Sequence, residues 1–120
     1  MKILHLASFN GNIGDNASHI GLDYILNKNI KNYTVHRLEM RKFYRNYSQK
    51  DKKKFNRNFI NFVNKFDLFI FGGGGYLDFS DNHSKTSTYF NINPSLIKLI
   101  KTPTIFSSLG AFPFNSVNKK

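Results

Sequence analysis

The sequence predicts an α/β fold built on a mainly parallel sheet of about four strands. Three observations support this fold class. Short apolar runs at residues 2–7, 67–71 and 104–108 have the composition of strands buried on both faces. Stretches with helical periodicity separate these runs, and glycine-rich segments lie next to two of them. Alternating strands and helices favour right-handed crossovers, so we expect a Rossmann-like fold of three layers.

The first half of the chain contains two predicted strands and two predicted helices. The first strand, residues 2–7, ends at a Ser-Phe-Asn-Gly sequence. Asp15 is a residue type that favours the N-cap of a helix, and apolar residues recur at helical spacing from there to about Lys28. Residues 33–40 alternate as a second strand does. A stripe of Phe and Val predicts a second helix over about residues 50–65.

The second half of the chain predicts two further strands and one short helix. The clearest strand is DLFIF at residues 67–71, and four glycines are expected to end it. Pro94 suits the first turn of a helix that runs to about residue 101. Residues 104–108 form the fourth predicted strand. In a complete sheet this strand would have a further neighbour, so we expect an unpaired apolar edge.

Length and composition exclude several classes of protein. The 120 residues suffice for one domain, which we expect to span residues 1–115 before a polar tail at residues 116–120. A hydrophobic content of 40% is too high for a disordered polypeptide. The absence of cysteine excludes disulfides, thiolate metal sites and cysteine nucleophiles, and makes the cytoplasm the expected location. No apolar run approaches the roughly 20 residues of a membrane-spanning helix.

Positive charge is concentrated in one part of the sequence. The formal net charge is +11, and residues 28–65 contain twelve Lys or Arg against Glu39 and Asp51 alone. Aromatic residues interleave with the basic ones, as in proteins that bind single-stranded nucleic acid. The apolar stripe at residues 50–65 instead favours a solvated helix face, away from the predicted ligand crevice. Peripheral contact with an anionic membrane or an acidic glycan is the second interpretation, and nucleic acid is the least favoured.

Two glycine-rich segments predict a ligand crevice. NGNIGDNA at residues 10–17 follows the first strand, and GGGGYLDFSDN at residues 72–82 follows the third. In such sheets ligands bind beyond the carboxyl ends of the strands, where the strand order reverses. The four glycines are expected to let another backbone or a ligand approach closely. The first segment lacks a dinucleotide fingerprint, and for Asp15 helix capping, contact with a sugar hydroxyl or with the other glycine segment, and a phosphate pocket all stay open.

Three motifs, taken in order, resemble the polysaccharide pyruvyl transferase family. They are GNIGDNA at residues 11–17, DLFIFGGGGYL at residues 67–77 and PTIFSSLGAFPF at residues 103–114. The resemblance covers only the N-terminal part of such a protein, so the fold it implies is the N-terminal lobe of a two-lobed, glycosyltransferase-like enzyme. The activity it implies is transfer of a pyruvyl group, as a ketal, from phosphoenolpyruvate to a sugar of a cell-surface polysaccharide. It implies no metal and no nicotinamide cofactor.

The same resemblance implies a binding site and partners. The residues that it places along the cleft are Asn12, Gly14, Asp15, Gly73, Gly74 and Gly75. The ligands it implies are phosphoenolpyruvate and a saccharide acceptor. A missing C-terminal half or a second copy in a homo-oligomer would complete the cleft, and this chain alone would be inactive.

Several other side chains are candidates for chemistry. Asp15 and His83 are the candidates for a catalytic acid or base. Tyr76 follows the glycines and would either stack on a sugar ring or close the core. Asp78, Asp81 and His83 match no metal-ligand spacing, so we expect no metal site.

The other three histidines have different expected environments. His5 is expected to be a hydrogen-bonded core residue, because its strand is buried on both faces. His19 lies in the first turns of the first helix, near the crevice. His36 is expected on the surface of the second strand.

Two other functions are compatible with the sequence. A basic module that binds glycan or nucleic acid would depend on residues 28–65 and not on the glycine segments. The N-terminal lobe of a nucleotide-sugar glycosyltransferase would have the same half-fold.

Overall fold

The computed structural model describes residues 1–78, 86, 88–90 and 92–112, without the side chains of Asp78, Ala111 and Phe112. Its elements in chain order are β1 (Lys2–Ala7), α1 (Ile13–Asn29), β2 (Thr34–Glu39), a 3-10 turn (Met40–Phe43), α2 (Arg57–Val63), β3 (Leu68–Asp78), α3 (Pro94–Ile97) and β4 (Thr104–Phe112). The alternation of strands and helices confirms the predicted α/β class.

The four strands form one parallel sheet in the order β2-β1-β3-β4. The chain therefore runs from β1 outward to β2, and then back past β1 to β3. This reversal places the switch point of the sheet between the carboxyl ends of β1 and β3. One glycine-rich segment follows β1 and the other belongs to β3, so both lie at this point.

Helices cover both faces of the sheet, which gives the predicted three-layer, Rossmann-like arrangement. On one face α2 and α3 pack on a large apolar cluster, and on the other face α1 packs on a small one. Buried members of the large cluster are Leu4, Leu6, Met40, Phe43, Phe59, Ile60, Val63, Phe69, Phe71, Tyr76 and Phe90. The small cluster consists of Ile3, Leu26 and Ile70.

Strand β3 is longer than predicted, because the glycines continue the strand and do not end it. Beyond Phe71, which pairs with Leu6 of β1, the strand goes on to pair with β4 alone. Gly72 lies opposite Ser107 and Gly75 opposite Gly110 in this extension, with a register shift before Leu77. We call the paired residues 72–78 of β3 and 107–112 of β4 the strand arm. The predicted glycine loop is therefore part of a two-stranded extension of the sheet.

Helix α2 is shorter than the predicted helix over residues 50–65. The side-chain oxygen of Asn56 accepts the N–H of Phe59 at 3.0 Å and caps the helix at this point. Before the cap, the N–H of Lys53 donates to the carbonyl of Lys42 at 2.8 Å. This part of the chain therefore bonds to the 3-10 turn and does not form a helix. The predicted apolar stripe is confirmed within the helix, since Phe59 and Val63 are buried.

The last two elements also differ from their predicted bounds. Helix α3 ends at Ile97, so the predicted helix to residue 101 is wrong in its second half. Strand β4 extends to Phe112 and has a neighbour on one side only among the described residues. Ile105 is 51% exposed and Phe106 63% exposed, which confirms the unpaired apolar edge. None of the helices in the described part of the chain has the length and apolar character needed to cross a membrane.

Candidate functional site

The first glycine segment connects β1 to α1 and is held by a capping box. The side-chain oxygen of Asn12 accepts the N–H of Asp15 at 3.0 Å, and the carboxylate of Asp15 accepts the N–H of Asn12 at 3.3 Å. Asn12 is therefore the N-cap, and the prediction that Asp15 occupies that position is wrong. Asp15 lies three residues further on and completes the box.

The carboxylate of Asp15 gives the N-terminus of α1 its own negative charge. A Cβ on Gly11 would lie 1.9 Å from Oδ2 of Asp15, so the loop packs directly on this carboxylate. Helix N-termini attract anions through their free N–H groups and their dipole. Because Asp15 already satisfies this attraction, a phosphate here would meet a like charge, whereas a hydroxyl group could donate to the carboxylate.

The second glycine segment has a backbone that few other residues could adopt. The φ angles of Gly72, Gly73 and Gly74 are +140°, +95° and +152°. A Cβ on Gly72 would lie 1.8 Å from the carbonyl oxygen of Ser107, and one on Gly73 would lie 2.4 Å from the ring of His19. The groups that approach these two glycines closely therefore belong to the chain itself.

A buried hydrogen-bond network joins Ser8, two residues before the first glycine segment, to the second glycine segment. The N–H of Ser8, just after β1, donates to Oη of Tyr76 at 2.9 Å and lies 3.4 Å from the carbonyl oxygen of Gly73. The hydroxyl of Tyr76 in turn donates to that same carbonyl at 2.9 Å. Tyr76 is only 1% exposed, and burial holds its pKa above the ordinary range. Of its two expected roles Tyr76 has the second: it closes the core, and no face of its ring is open to a sugar.

Two buried histidines hydrogen-bond to the backbone of the same region. Nε2–H of His5 donates to the carbonyl of Gly72 at 3.1 Å, and Nε2–H of His19 donates to the carbonyl of Ser8 at 3.1 Å. The rings of His5 and His19 lie edge to face, with their centroids 5.3 Å apart. Burial lowers the pKa of His5 to about 4, against the opposing effect of its bond to Gly72. His5 is thus the hydrogen-bonded core residue expected from the sequence.

The basic residues after β2 lie at the same edge of the sheet as the glycine segments. The carboxylate of Glu39, the last residue of β2, accepts the N–H of Asn10 at 2.9 Å and the N–H of Arg41 at 3.0 Å. The N–H of Arg45 donates to the carbonyl of Tyr89 at 2.9 Å. The first basic residues after β2 therefore lie beside the first glycine segment, whereas the position of the helix face at residues 50–65 away from the crevice stays a prediction. The sequence could not show this, because the contacts join residues about 30 to 45 positions apart.

Comparison with known families decides how this site is classified. The family model for polysaccharide pyruvyl transferase matches residues 12–120. The chain belongs to the polysaccharide pyruvyl transferase family. Comparison with curated proteins and with solved structures finds no match. The match confirms the resemblance carried by the three sequence motifs.

The pyruvyl transferase-family residues expected along the cleft occupy two levels of this site. Asn12 and Gly14 are exposed at the start of α1, and the carboxylate of Asp15 is half-buried between them and Gly11. Gly73 is buried against His19, whereas Gly74 and Gly75 are half-buried in the strand arm. The backbone contact between Ser8 and Gly73 joins the end of β1, which leads into the first set, to the second set. Whether these residues bind a ligand stays a prediction.

Other predicted residues fall outside the described part of this pyruvyl transferase-family chain. His83 and Asp81 lie there, as does the tail at residues 116–120, and for Asp78 only the backbone is described. Within the described residues, no group of three or more His, Asp or Glu is arranged to hold a metal ion. His36, expected on the surface of β2, is exposed and lies beside the rings of Phe62 and Phe66.

Sequence reasoning missed the roles of Ser8 and Ser108 in this pyruvyl transferase-family site, and placed His19 near the crevice without its contact to Gly73. Ser8 supplies the backbone groups that join β1 to the strand arm, and His19 fills the space that Gly73 leaves. Ser108 has a φ of +50°, a left-handed conformation that is unfavourable for serine. The unusual run of four glycines is a signal for such close contacts, but it does not say which residues make them.

Proposed function

We propose that this chain acts in a polysaccharide pyruvyl transferase reaction, in which a pyruvyl group passes from phosphoenolpyruvate to a saccharide of a cell-surface polysaccharide. The observation that carries the proposal is the family match over residues 12–120, because it includes most of the first glycine segment and all of the second, which lie at the switch point of the sheet. In parallel sheets this is the place where ligands bind. The absence of cysteine favours the cytoplasm as the site of the reaction.

The chemistry requires two hydroxyl groups of one sugar and one phosphoenolpyruvate. The methylene carbon of the donor takes up a proton and becomes a methyl group, while the first hydroxyl adds to the neighbouring carbon. The second hydroxyl then displaces phosphate from that carbon, which gives the ketal and inorganic phosphate. A group that accepts the hydroxyl proton, and cations that hold the donor's phosphate and carboxylate, would be the main catalytic contributions.

We assign the acceptor saccharide to the first glycine segment. The carboxylate of Asp15 and the exposed amide of Asn12 can hydrogen-bond sugar hydroxyls, whereas the same carboxylate disfavours the phosphate of the donor. Of the two candidates for accepting the hydroxyl proton, Asp15 is the one that the structure describes. The half-buried backbone of Gly74 and Gly75 would form the adjacent wall, with no side chain to obstruct the sugar.

We assign most of the donor contacts to a second lobe, either a C-terminal half or a second copy of the chain. The support is the outer edge of β4, where Ile105 and Phe106 present apolar side chains to solvent. Residues 1–120, assayed without a second lobe, should release no phosphate from phosphoenolpyruvate in the presence of a glycan acceptor. Acceptor-dependent release by the chain alone would contradict the need for a second lobe, but not the reaction itself.

Deletion of the gene in the source organism tests the reaction. Loss of the methyl signal of the pyruvate ketal from the surface polysaccharide, measured by proton NMR and restored by the intact gene, is the expected result. Complementation with Asp15→Asn should restore less ketal, because this change keeps the size of the side chain and removes its charge. Asp67→Asn is the matched control, since Asp67 accepts the N–H of Lys2 at the opposite edge of the sheet. An unchanged ketal content in the deletion strain would refute the proposed function.

A further inference from the structure

A cluster of basic side chains lies exposed between the 3-10 turn and helix α2. This polybasic segment consists of Lys50, Lys52, Lys53, Lys54 and Arg57, all of them exposed. Its backbone is held in place, because the N–H of Lys53 donates to the carbonyl of Lys42 at 2.8 Å and the ammonium of Lys52 donates to the carbonyl of Arg45 at 2.7 Å. The structure therefore presents these charges on a fixed part of the surface.

The positive charge of the polybasic segment is not neutralised by nearby acids. Asp51 is the one acidic residue within it, and its carboxylate is bound by the ammonium of Lys42 and by the hydroxyl of Tyr47. These contacts lower the pKa of Asp51 and raise that of Lys42. In the described ranges the other ion pair joins Arg37 to Asp23, so no carboxylate there lies within ion-pair distance of the segment's cations.

Most aromatic rings of the same region pack against other rings of the protein. Phe43 and Phe59 are buried, and the ring of Phe55 packs against both. Tyr44 lies against the ring of Tyr89, and the hydroxyl of Tyr47 is bound to Asp51. Proteins that bind single strands need exposed aromatic rings on which bases can stack. Most rings of this region therefore pack against other rings, and Tyr47 is half-exposed, which disfavours the single-stranded nucleic-acid interpretation.

The polybasic segment lies at the same edge of the sheet as the candidate site. Lys53 bonds to Lys42 in the 3-10 turn that follows β2, so the segment flanks the carboxyl edge of the sheet. Two clefts of about 510 and 380 Å³ adjoin it, and Lys52, Lys53 and Lys54 line both. Lys31 and Lys101 lie at the opposite edge of the sheet. The ammonium of Met1, just before β1, donates to the carbonyl of Asn32, and the N–H of Lys101, shortly before β4, donates to Oδ1 of Asn64.

We propose that the polybasic segment docks the protein on an anionic phospholipid surface, with the carboxyl edge of the sheet towards the headgroups. Lysine and arginine side chains near such a surface each contribute to binding through the negative surface potential, with no need for a shaped pocket. A row of exposed cations on a fixed backbone, without acidic partners among the described residues, fits this kind of partner. The inference concerns binding alone and is independent of the transferase reaction.

Sedimentation of the whole chain with lipid vesicles tests the proposal. The chain should bind vesicles that contain phosphatidylglycerol, should not bind phosphatidylcholine vesicles, and should dissociate as salt is added. Reversal of Lys52, Lys53 and Lys54 to Glu should weaken binding to the anionic vesicles about tenfold or more. The matched control reverses three exposed lysines, Lys31, Lys98 and Lys101, which changes the net charge equally. Circular dichroism of each variant shows whether it is folded.

Each alternative outcome contradicts the proposal. Equal loss of binding in the two variants would mean that net charge alone attracts the vesicles. Absence of binding to anionic vesicles by the unmodified chain would exclude the membrane as a partner. Tighter binding to single-stranded or duplex RNA than to vesicles at the same salt concentration would assign the surface to nucleic acid. Displacement by inorganic phosphate, but not by chloride at the same ionic strength, would assign it to a small anion.

Single-cysteine labelling tests the orientation. Because the chain contains no cysteine, Ser48→Cys and Lys101→Cys each introduce one site for an environment-sensitive fluorophore. Anionic vesicles should raise the fluorescence of the label at position 48, beside the polybasic segment, and leave that at position 101 unchanged. The reverse result, or an equal change at both positions, would overturn the proposed orientation.

Discussion

The two glycine segments of the candidate site are held in opposite ways. The first is stabilised mainly by a local cap, formed by Asn12 and Asp15 at the start of α1, and Asn10 adds one bond to Glu39. The second is stabilised by residues far away in sequence, since Ser107 closes on Gly72, and His19 fills the space beside Gly73. A local cap can be changed at small cost, whereas a close contact between distant parts of the chain cannot. Four predictions test this difference, from the largest expected effect to the smallest.

Gly72→Ala should destabilise the protein by at least about 3 kcal/mol, because the new Cβ would overlap the carbonyl of Ser107 and φ at this position is positive. Urea unfolding followed by circular dichroism measures the change. Gly21→Ala is the control, since a Cβ there meets no atom within 4 Å on the exposed face of α1. This control should stabilise the protein by about 0.5–1 kcal/mol. Equal stability of Gly72→Ala and the unmodified protein would refute the close contact.

Acid should weaken the folded state through His5. Burial lowers its pKa from 6.5 to about 4, so the unfolded chain takes up a proton at a pH where the folded protein does not. The contribution is complete above pH 6.5 and is lost as the pH falls to about 4, a change of about 3 kcal/mol. Urea unfolding at a series of pH values measures it. His5→Gln should show a flatter dependence in this interval, and an identical slope would show that another group is responsible.

Tyr76→Phe should cost about 1–3 kcal/mol, because it leaves the buried N–H of Ser8 and carbonyl of Gly73 without their hydroxyl partner. The control is Tyr33→Phe, whose hydroxyl bonds to Asn27 at the surface. Thermal unfolding of the two variants should separate them clearly. If both lose the same stability, the network does not join Ser8 to the second segment as described.

Asn12→Ala should cost about 1 kcal/mol, since it removes only the side chain that caps α1. Asn12→Asp keeps an oxygen acceptor and should retain most of the stability. Helix content and urea unfolding measure both. A loss as large as that of Gly72→Ala would contradict the distinction between the two segments.

Local patterns predicted the elements of this fold better than the contacts between them. The apolar run KILHLA predicted β1 at its observed bounds, because a buried strand needs little else. Asn12 and Asp15 are both good capping residues, so residue type alone could not choose between them. Their spacing, which is that of a capping box, was the signal that Asn12 is the N-cap. The sequence predicted that the glycines end β3. In the structure they continue the strand with positive φ angles and lie close to Ser107 and His19, and contacts with residues so far away in sequence leave no local pattern.

The position of β1 in the sheet also determines the order in which the chain can fold. β1 lies between β2 and β3, and its pairing with β3 joins Ile3 to Leu68 and Leu6 to Phe71. During synthesis one edge of β1 therefore stays unpaired until the ribosome has released the first residues of β3. Closing so long a loop is slow relative to local helix formation. We expect the nascent chain to expose Leu4 and Leu6 during this interval, when it would depend on chaperones to avoid aggregation.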